Sequence, residues 1–176
     1  LVTGASGLLG LHLLEALTTG GHTPIKALYN STLPRFQHPL VTWIQVDLMD
    51  VYAVARVMEG VKQVYHCAAI VSFDSAKRDQ LIYENEQITA HIVDEAIAEG
   101  IDKMVMVSSI AALGRVGAET GKPIDENTHW EDSKNNTAYA ISKYRSEMEV
   151  WRGMAEGLNV AIVNPGIILG EGDFSK

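Results

Sequence analysis

Tyr139 and Lys143 stand four residues apart in the stretch YAISK, a spacing that a helix turns into one face, one turn apart. An ammonium beside a phenol favours the phenolate, which otherwise forms only near a pKa of about 10, and a tyrosine in that setting can act as general acid or base. Ser108 and Ser109 follow directly after the apolar run MVMV. At the carboxyl end of a strand such hydroxyls can orient a carbonyl or alcohol oxygen. Neither group speaks alone, because Tyr/Lys pairs also occur on solvent faces and serines also cap turns. A third group stands at the start, LVTGASGLLG, with Gly4, Gly7 and Gly10 between a β-like run and a helical one. Backbone there can approach a pyrophosphate closely, and the free N–H groups that open the helix attract its charge. Gly4 is expected to make the tight turn, Gly7 to allow the close approach and Gly10 to let helix and strand pack. The spacing is G-x-x-G-x-x-G, with Ala5 and Ser6 between the first two glycines, rather than G-x-G-x-x-G.

These residues need elements to position them. Leu1 to Thr3 reads as the end of a strand, and Leu9, Leu13, Leu14 and Leu17 as the apolar stripe of a helix that Gly20 and Gly21 end. Ile25 to Tyr29 and Val41 to Val46 read as strands separated by a loop with Pro34 and Pro39. Asp50 can cap a helix carrying Val54, Val57 and Met58, which Gly60 stops. Val64 to Ile70 is expected to be a buried strand running into a loop, followed by a helix over about Asp79 to Glu99 with Ile88, Ile92, Val93, Ala96 and Ile97 on one side. Met104 to Val107 reads as a fifth strand, Gly114 to Asn136 as loop, Tyr139 to Ala155 as a helix anchored by Met148, Trp151 and Met154, and Val160 to Val163 as a sixth strand. Apolar strands alternating with helices specify βα crossovers and a parallel sheet covered on both faces, a doubly wound α/β domain.

Composition narrows the partners. The 176 residues can bury one core, and 22 acidic against 14 basic residues give a net charge of −8 with no basic stripe. That argues against nucleic acid and anionic membrane surfaces as partners. No apolar run is long enough to span a membrane, and no signal peptide is visible. The single Cys67 forms no internal disulfide and reads as a buried thiol, which fits a cytoplasmic location. The six histidines are scattered with no metal-ligand spacing, so no metal is expected. Asp125, Glu126, Glu131 and Asp132 read as a solvated acidic run rather than paired catalytic carboxylates.

Taken in order, the motifs resemble the short-chain dehydrogenase/reductase superfamily. The resemblance is to its extended branch of NAD-dependent epimerases and dehydratases, dihydroflavonol-reductase-like and 3β-hydroxysteroid-dehydrogenase-like proteins. TGASGLLG is similar to that branch's TGxxGxxG loop, VSSIAALG to its strand-end serine motif and YAISK to its YxxxK. The resemblance implies a Rossmann-type α/β/α fold and Ser109, Tyr139 and Lys143 as catalytic residues. It implies cofactor contacts from Gly4, Ser6, Gly7, Leu8, Leu9 and Gly10. Asp47 and Leu48 of DLMD would receive the adenine. Cys67, Ala68 and Ala69 of HCAA would lie beside the ribose and pyrophosphate, and Asn164, Pro165 and Gly166, followed by Ile167 and Ile168, would form the turn at nicotinamide. Asn85, Val107, Ser108, Tyr139 and Lys143 complete the implied cofactor set. Val71, Phe73, Ser109, Ile110, Tyr139 and Asn164 form the substrate side, with Asp74 close by.

Two departures stand out. Ile88 occupies the position of a glycine that usually precedes Thr89, and no carboxylate follows the second strand, where the chain reads YNSTLPR. Asn30, Ser31 and Thr32 can bond a ribose hydroxyl or a 2′-phosphate, and Arg35 can reach a phosphate, so the cofactor is NAD or NADP with a lean to NADP. The preferred expectation is hydride transfer of the nucleotide-sugar epimerase or dehydratase type on a small-molecule substrate. The alternatives are a ketone or aldehyde reductase and a non-catalytic cofactor-sensing or interaction protein, with a homodimer open as the assembly. Residues 1–166 are expected to form the cofactor-binding domain and 167–176 the start of a substrate-binding region. The start at Leu1 and the end at Lys176 lead us to expect that most of that region lies outside this chain.

Overall fold

The computed structural model describes residues 1–21, 23–72, 74–114 and 124–170. Its strands are β1 (Val2–Thr3), β2 (Ile25–Tyr29), β3 (Val41–Gln45), β4 (Gln63–His66), β5 (Lys103–Val107) and β6 (Val160–Val163). Its helices are α1 (Leu8–Gly20), α2 (Val51–Met58), α3 (Arg78–Ala98) and α4 (Ala138–Ala155), with short 3₁₀ turns at Ser75–Lys77 and Ile110–Leu113. Every strand pairing is parallel, and the spatial order is β3-β2-β1-β4-β5-β6. The chain winds outward from β1 to β3, crosses back to β4 and winds outward the other way. A crevice is therefore left at the carboxyl ends of β1 and β4, the topological switch point.

Strand alternation sorts the core into two layers. Val2, Ala27 and Tyr65 share a cluster with Leu13, Leu14 and Leu17 of α1. Val64, Met104 and Met106 turn to the other face and pack with Val54 and Met58 of α2, Ile92, Val93 and Ala96 of α3, and Val150 of α4. Asp50 caps α2 by accepting the Ala53 N–H, and Gly60 follows the helix at φ +70°, as the sequence leads one to expect.

Three details differ from the sequence reading, the first being that Cys67, expected to be buried, is half-buried on the wall of a cavity after β4. β4 ends at His66 rather than running on to Ile70, because side chains take over the backbone partners. The Ala68 N–H goes to Thr3 Oγ1, and Asn85 takes both the N–H and the carbonyl of Ile70. On α4, Met148, Trp151 and Met154 are exposed, and the buried face is Ala140, Ser142, Lys143, Ser146, Glu147, Val150 and Gly153. The reason is proximity to α3. A Cβ on Gly153 would lie 2.6 Å from Val93 Cγ1, so this face is kept small where the helices come closest, and Met148, Trp151 and Met154 turn outward.

Candidate active site

Each glycine of the first turn has a distinct geometry. Gly4 sits at φ +62°, and a Cβ there would lie 2.6 Å from Ala68 N, so it makes the turn and also lets β1 approach the end of β4. Gly10 is wedged against the turn itself, with a Cβ position 2.3 Å from Gly4 O. Gly7 is different: its only near neighbour is Gly4 O at 3.3 Å. It caps α1 without a side-chain hydrogen bond, so the orphan N–H groups of the first turn have no side-chain cap, and Gly7 itself borders open space.

That space is a cavity of about 440 Å³. It is walled by Gly4, Ser6 and Gly7 on one side, Asn30, Asp47, Leu48 and Met49 at the ends of β2 and β3, and Cys67, Ala68, Ala69 and Ile70 after β4. Glu84 and Ile88 of α3 close it. Ser31, Thr32 and Arg35 are exposed and lie outside its wall, while Leu8, Leu9 and Gly10 form the start of α1 behind it. The ionisable groups in the wall besides Cys67 and Tyr29 are the carboxyls of Asp47 and Glu84.

The adjoining edge carries the proton-transfer candidates. Tyr139 is half-buried and lies one turn before Lys143 on α4. Lys143 is 3% exposed and donates to the carbonyl of Val107 at 2.8 Å, the last residue of β5. Burial lowers its pKa to about 8, while Glu147 and Cys67 pull it back up. Lys143 in turn acts on His66 and on Cys67, whose thiol burial raises to about 11, so its charge is felt at the end of β4 on the cavity wall. Ser109 Oγ accepts the Ala111 N–H at 3.2 Å and caps the 3₁₀ turn, which leaves its own proton free. Ser108 Oγ is the one buried side-chain polar atom without a partner among the described residues. Val71, Ile110, Ile167 and Ile168 are exposed beyond the same edge, and Pro165 holds Ile110 by accepting its N–H at 3.0 Å. Gly166 follows, exposed and with Ile110 as its near neighbour, and Phe73 lies outside the described residues.

Behind both halves runs a buried chain of hydrogen bonds with one direction. Thr89 Oγ1 donates to the Asn85 carbonyl at 2.9 Å, so it must accept from His66 Nε2, 3.2 Å away. His66 Nδ1 then accepts from Thr3 Oγ1 at 2.8 Å, which itself accepts the Ala68 N–H at 3.2 Å. His66 is thus neutral and protonated on Nε2, and burial lowers its pKa to about 3. Asn85 commits its amide to Ile70 and to Ser142 on α4, so it bears on the cavity through Ile70 rather than with a free polar atom. Sequence reasoning did not single out Thr3, Ser142, Ser146 or Glu147, although 139, 143 and 147 recur at a spacing of four in YAISKYRSE.

The sheet order and the glycine turn at its switch point define a Rossmann-type domain. The profile of the NAD dependent epimerase/dehydratase family matches residues 1–176, and the chain belongs to that family. It is 34% identical over 178 residues to sterol demethylase protein B of Methylococcus capsulatus, covering 99% of this chain and 52% of that protein. It is 31% identical over 174 residues to a putative dihydroflavonol 4-reductase of Synechocystis sp., covering 98% and 50%. Among solved structures, that of gox2253 is 32% identical with a TM-score of 0.81, over 93% of this chain and 50% of that one. UDP-glucuronic acid 4-epimerase from Bacillus cereus, solved in complex with NAD, shares the fold at TM-score 0.79 and 18% identity, over 94% and 55%. The chain spans about half the length of the curated relatives it matches. Among the described residues, no helix is long and apolar enough to cross a membrane, and no group of three or more His, Cys, Asp or Glu is placed to hold a metal.

Proposed function

We propose that this chain is the cofactor-binding part of an NAD(P)-dependent oxidoreductase or epimerase, in which Tyr139, Lys143 and Ser109 manage the proton at an alcohol or carbonyl oxygen of a small-molecule substrate. The observation that carries this reading is Lys143. A buried ammonium one turn from Tyr139 acts electrostatically on the wall of a cavity whose other side is a glycine turn with an uncapped helix start. That turn suits a pyrophosphate, which would lie against Gly4, Ser6 and Gly7 and the N–H groups of Leu8, Leu9 and Gly10. Asp47 and Leu48 would take the adenine, Asn30 to Thr32 with Arg35 its ribose, Cys67 to Ala69 the middle of the cofactor, and Asn164 to Ile168 its nicotinamide end. Residues 1–166 would form this domain and 167–176 lead into the substrate region.

A bound nicotinamide supplies or accepts hydride. In reduction, Tyr139 gives its proton to the substrate oxygen, and in oxidation it takes one from it. Ser109 donates to that oxygen with the proton its capping bond leaves free. Lys143 spends one donor on Val107 O and has two more for cofactor hydroxyls, while its positive charge stands one turn from the phenol.

Exposed apolar residues past the strand ends support a substrate class. Val71, Ile110, Ile167 and Leu169, on the segments leaving β4, β5 and β6, are all at least half exposed, which suits a hydrophobic ketone or alcohol. The names of two relatives more than 30% identical, a sterol demethylase protein and a putative dihydroflavonol reductase, support that class. A nucleotide sugar is the second reading, supported by the family's epimerase/dehydratase description and by a 26% identical dTDP-4-dehydro-6-deoxy-D-allose reductase. Cofactor consumption tests both in the intact protein, with NADH and NADPH compared on hydrophobic ketones and nucleotide sugars. Net oxidation of the reduced cofactor on a ketone is the expected result, and isomerisation of a sugar without net consumption would favour the epimerase. A bound cofactor that no substrate turns over would overturn both.

A further inference from the structure

Glu147 is a buried charge that the reaction as described does not use. It is 7% exposed and follows Lys143 by four residues, as Lys143 follows Tyr139, so it extends the same face of α4 by one more turn. Its Oε1 accepts from Asn164 Nδ2 at 2.6 Å, a charge-assisted hydrogen bond of the stronger kind. The other proton of that amide nitrogen goes to the Ser109 carbonyl at 3.1 Å. Around this pair, the Ser108 N–H donates to Val163 O and the Ile110 N–H to Pro165 O, so the segments leaving β5 and β6 stay laced together past the strand ends. α4 is fixed to this corner at two points one turn apart, by Lys143 to Val107 O and by Glu147 to Asn164. The bonds close a ring through Lys143, Val107, Ser109, Asn164 and Glu147.

We propose that Glu147 is a positioning residue which, through Asn164, sets where Ser109 stands relative to Tyr139 and Lys143. The proposal rests on the catalytic reading of those three residues. Charge gives it a second component. Lys143 is faced by Glu147 from its own helix, one turn after it as Tyr139 is one turn before, by His66 and Cys67 from the end of β4 and by the Val107 carbonyl from β5. His66 is held neutral and burial disfavours the Cys67 thiolate, so Glu147 is the fixed anion that opposes the desolvation of Lys143. Removing that charge moves the Lys143 titration below about 8, and the deficit of ammonium shrinks as pH falls.

Two variants separate the components: Glu147→Gln keeps an acceptor for Asn164 without the charge, and Glu147→Ala removes both. In the intact protein labelled with 13C-lysine, the Lys143 13Cε titration is expected to shift down by about one pH unit in Glu147→Gln, with the thermal midpoint and NADPH affinity close to the parent. On the substrate that the parent turns over, kcat is expected to fall about 10-fold in Glu147→Gln and about 100-fold in Glu147→Ala, with KM changed less than about 3-fold. The Glu147→Gln loss is expected to be larger at pH 8 than at pH 6. If Glu147→Ala does not fold, Glu147→Gln decides alone. A Lys143 titration unmoved in Glu147→Gln, or a parental kcat in the folded variants, would overturn the proposal. Full turnover by Tyr139→Phe alongside a shifted Lys143 titration would instead sink the catalytic reading and leave the Glu147 contact standing.

Discussion

The crevice has two walls built on opposite principles. The wall at β1 and α1 works by what is missing: Gly4 and Gly10 remove side chains where backbone segments touch, and Gly7 leaves room in front of bare N–H groups. The wall at β4, β5 and α4 works by what is buried. His66, Ser142, Lys143, Ser146 and Glu147, with Thr3 of β1 and Asn85 and Thr89 of α3 behind them, are all polar, all less than 9% exposed and all hydrogen-bonded. A phosphate cradle needs donors and space, which bare backbone supplies. Proton transfer needs fixed side chains, and a low-dielectric interior holds those best when their partners are supplied, as they are here, among the described residues, for all but Ser108 Oγ.

The contrast makes the largest effect a steric one. Gly10→Ala places a methyl group 2.3 Å from Gly4 O, and we expect a loss of about 3 kcal/mol by urea unfolding, the upper range for overpacking. Gly7→Ala meets only Gly4 O at 3.3 Å, so it should unfold close to the parent yet weaken NADPH binding measured by fluorescence. Equal destabilisation by the two substitutions would break the distinction between packing glycine and cradle glycine.

A smaller effect separates the buried wall from the open one by pH. His66 has a folded pKa of about 3 against 6.5 unfolded, so between those values the unfolded chain binds a proton that the folded one refuses. Its contribution to stability is complete above about 6.5 and is lost as pH falls toward 3. In His66→Asn, the slope of unfolding free energy against pH between 4 and 6 should be shallower by about 1.4 kcal/mol per pH unit. An unchanged slope would mean that His66 is protonated in the fold.

The smallest effect concerns the two adjacent serines. Ser108 Oγ has no hydrogen bond to lose, so Ser108→Ala should change stability by less than about 1 kcal/mol. Ser109→Ala removes a turn cap worth about 1 kcal/mol and, on the proposed mechanism, lowers kcat as well. Parental turnover in Ser109→Ala would shift attention to its neighbour.

The first wall was largely legible in the sequence, because its signals are local. Three glycines at fixed spacing after an apolar run locate the turn, the Asp50 cap locates α2, and alternation of apolar runs gives a parallel sheet. The second wall was legible only in part. Tyr139 and Lys143 share a helix, but the contacts that build the wall around them join residues far apart in sequence, 36 positions for Lys143 to Val107 and 65 for Ala68 to Thr3. No local pattern encodes those. The apolar Met148, Trp151 and Met154 misled for a related reason, since the close approach of α3 at Gly153 gives the buried face of α4 to small and polar residues.

The most direct test of the account is single-turnover oxidation of bound NADPH or NADH by a substrate, comparing the parent with Tyr139→Phe in the intact protein. The account predicts a cofactor Kd within about 3-fold of the parent and a hydride-transfer rate at least ~100-fold lower, the usual range of a general acid. A parental rate in Tyr139→Phe would contradict it.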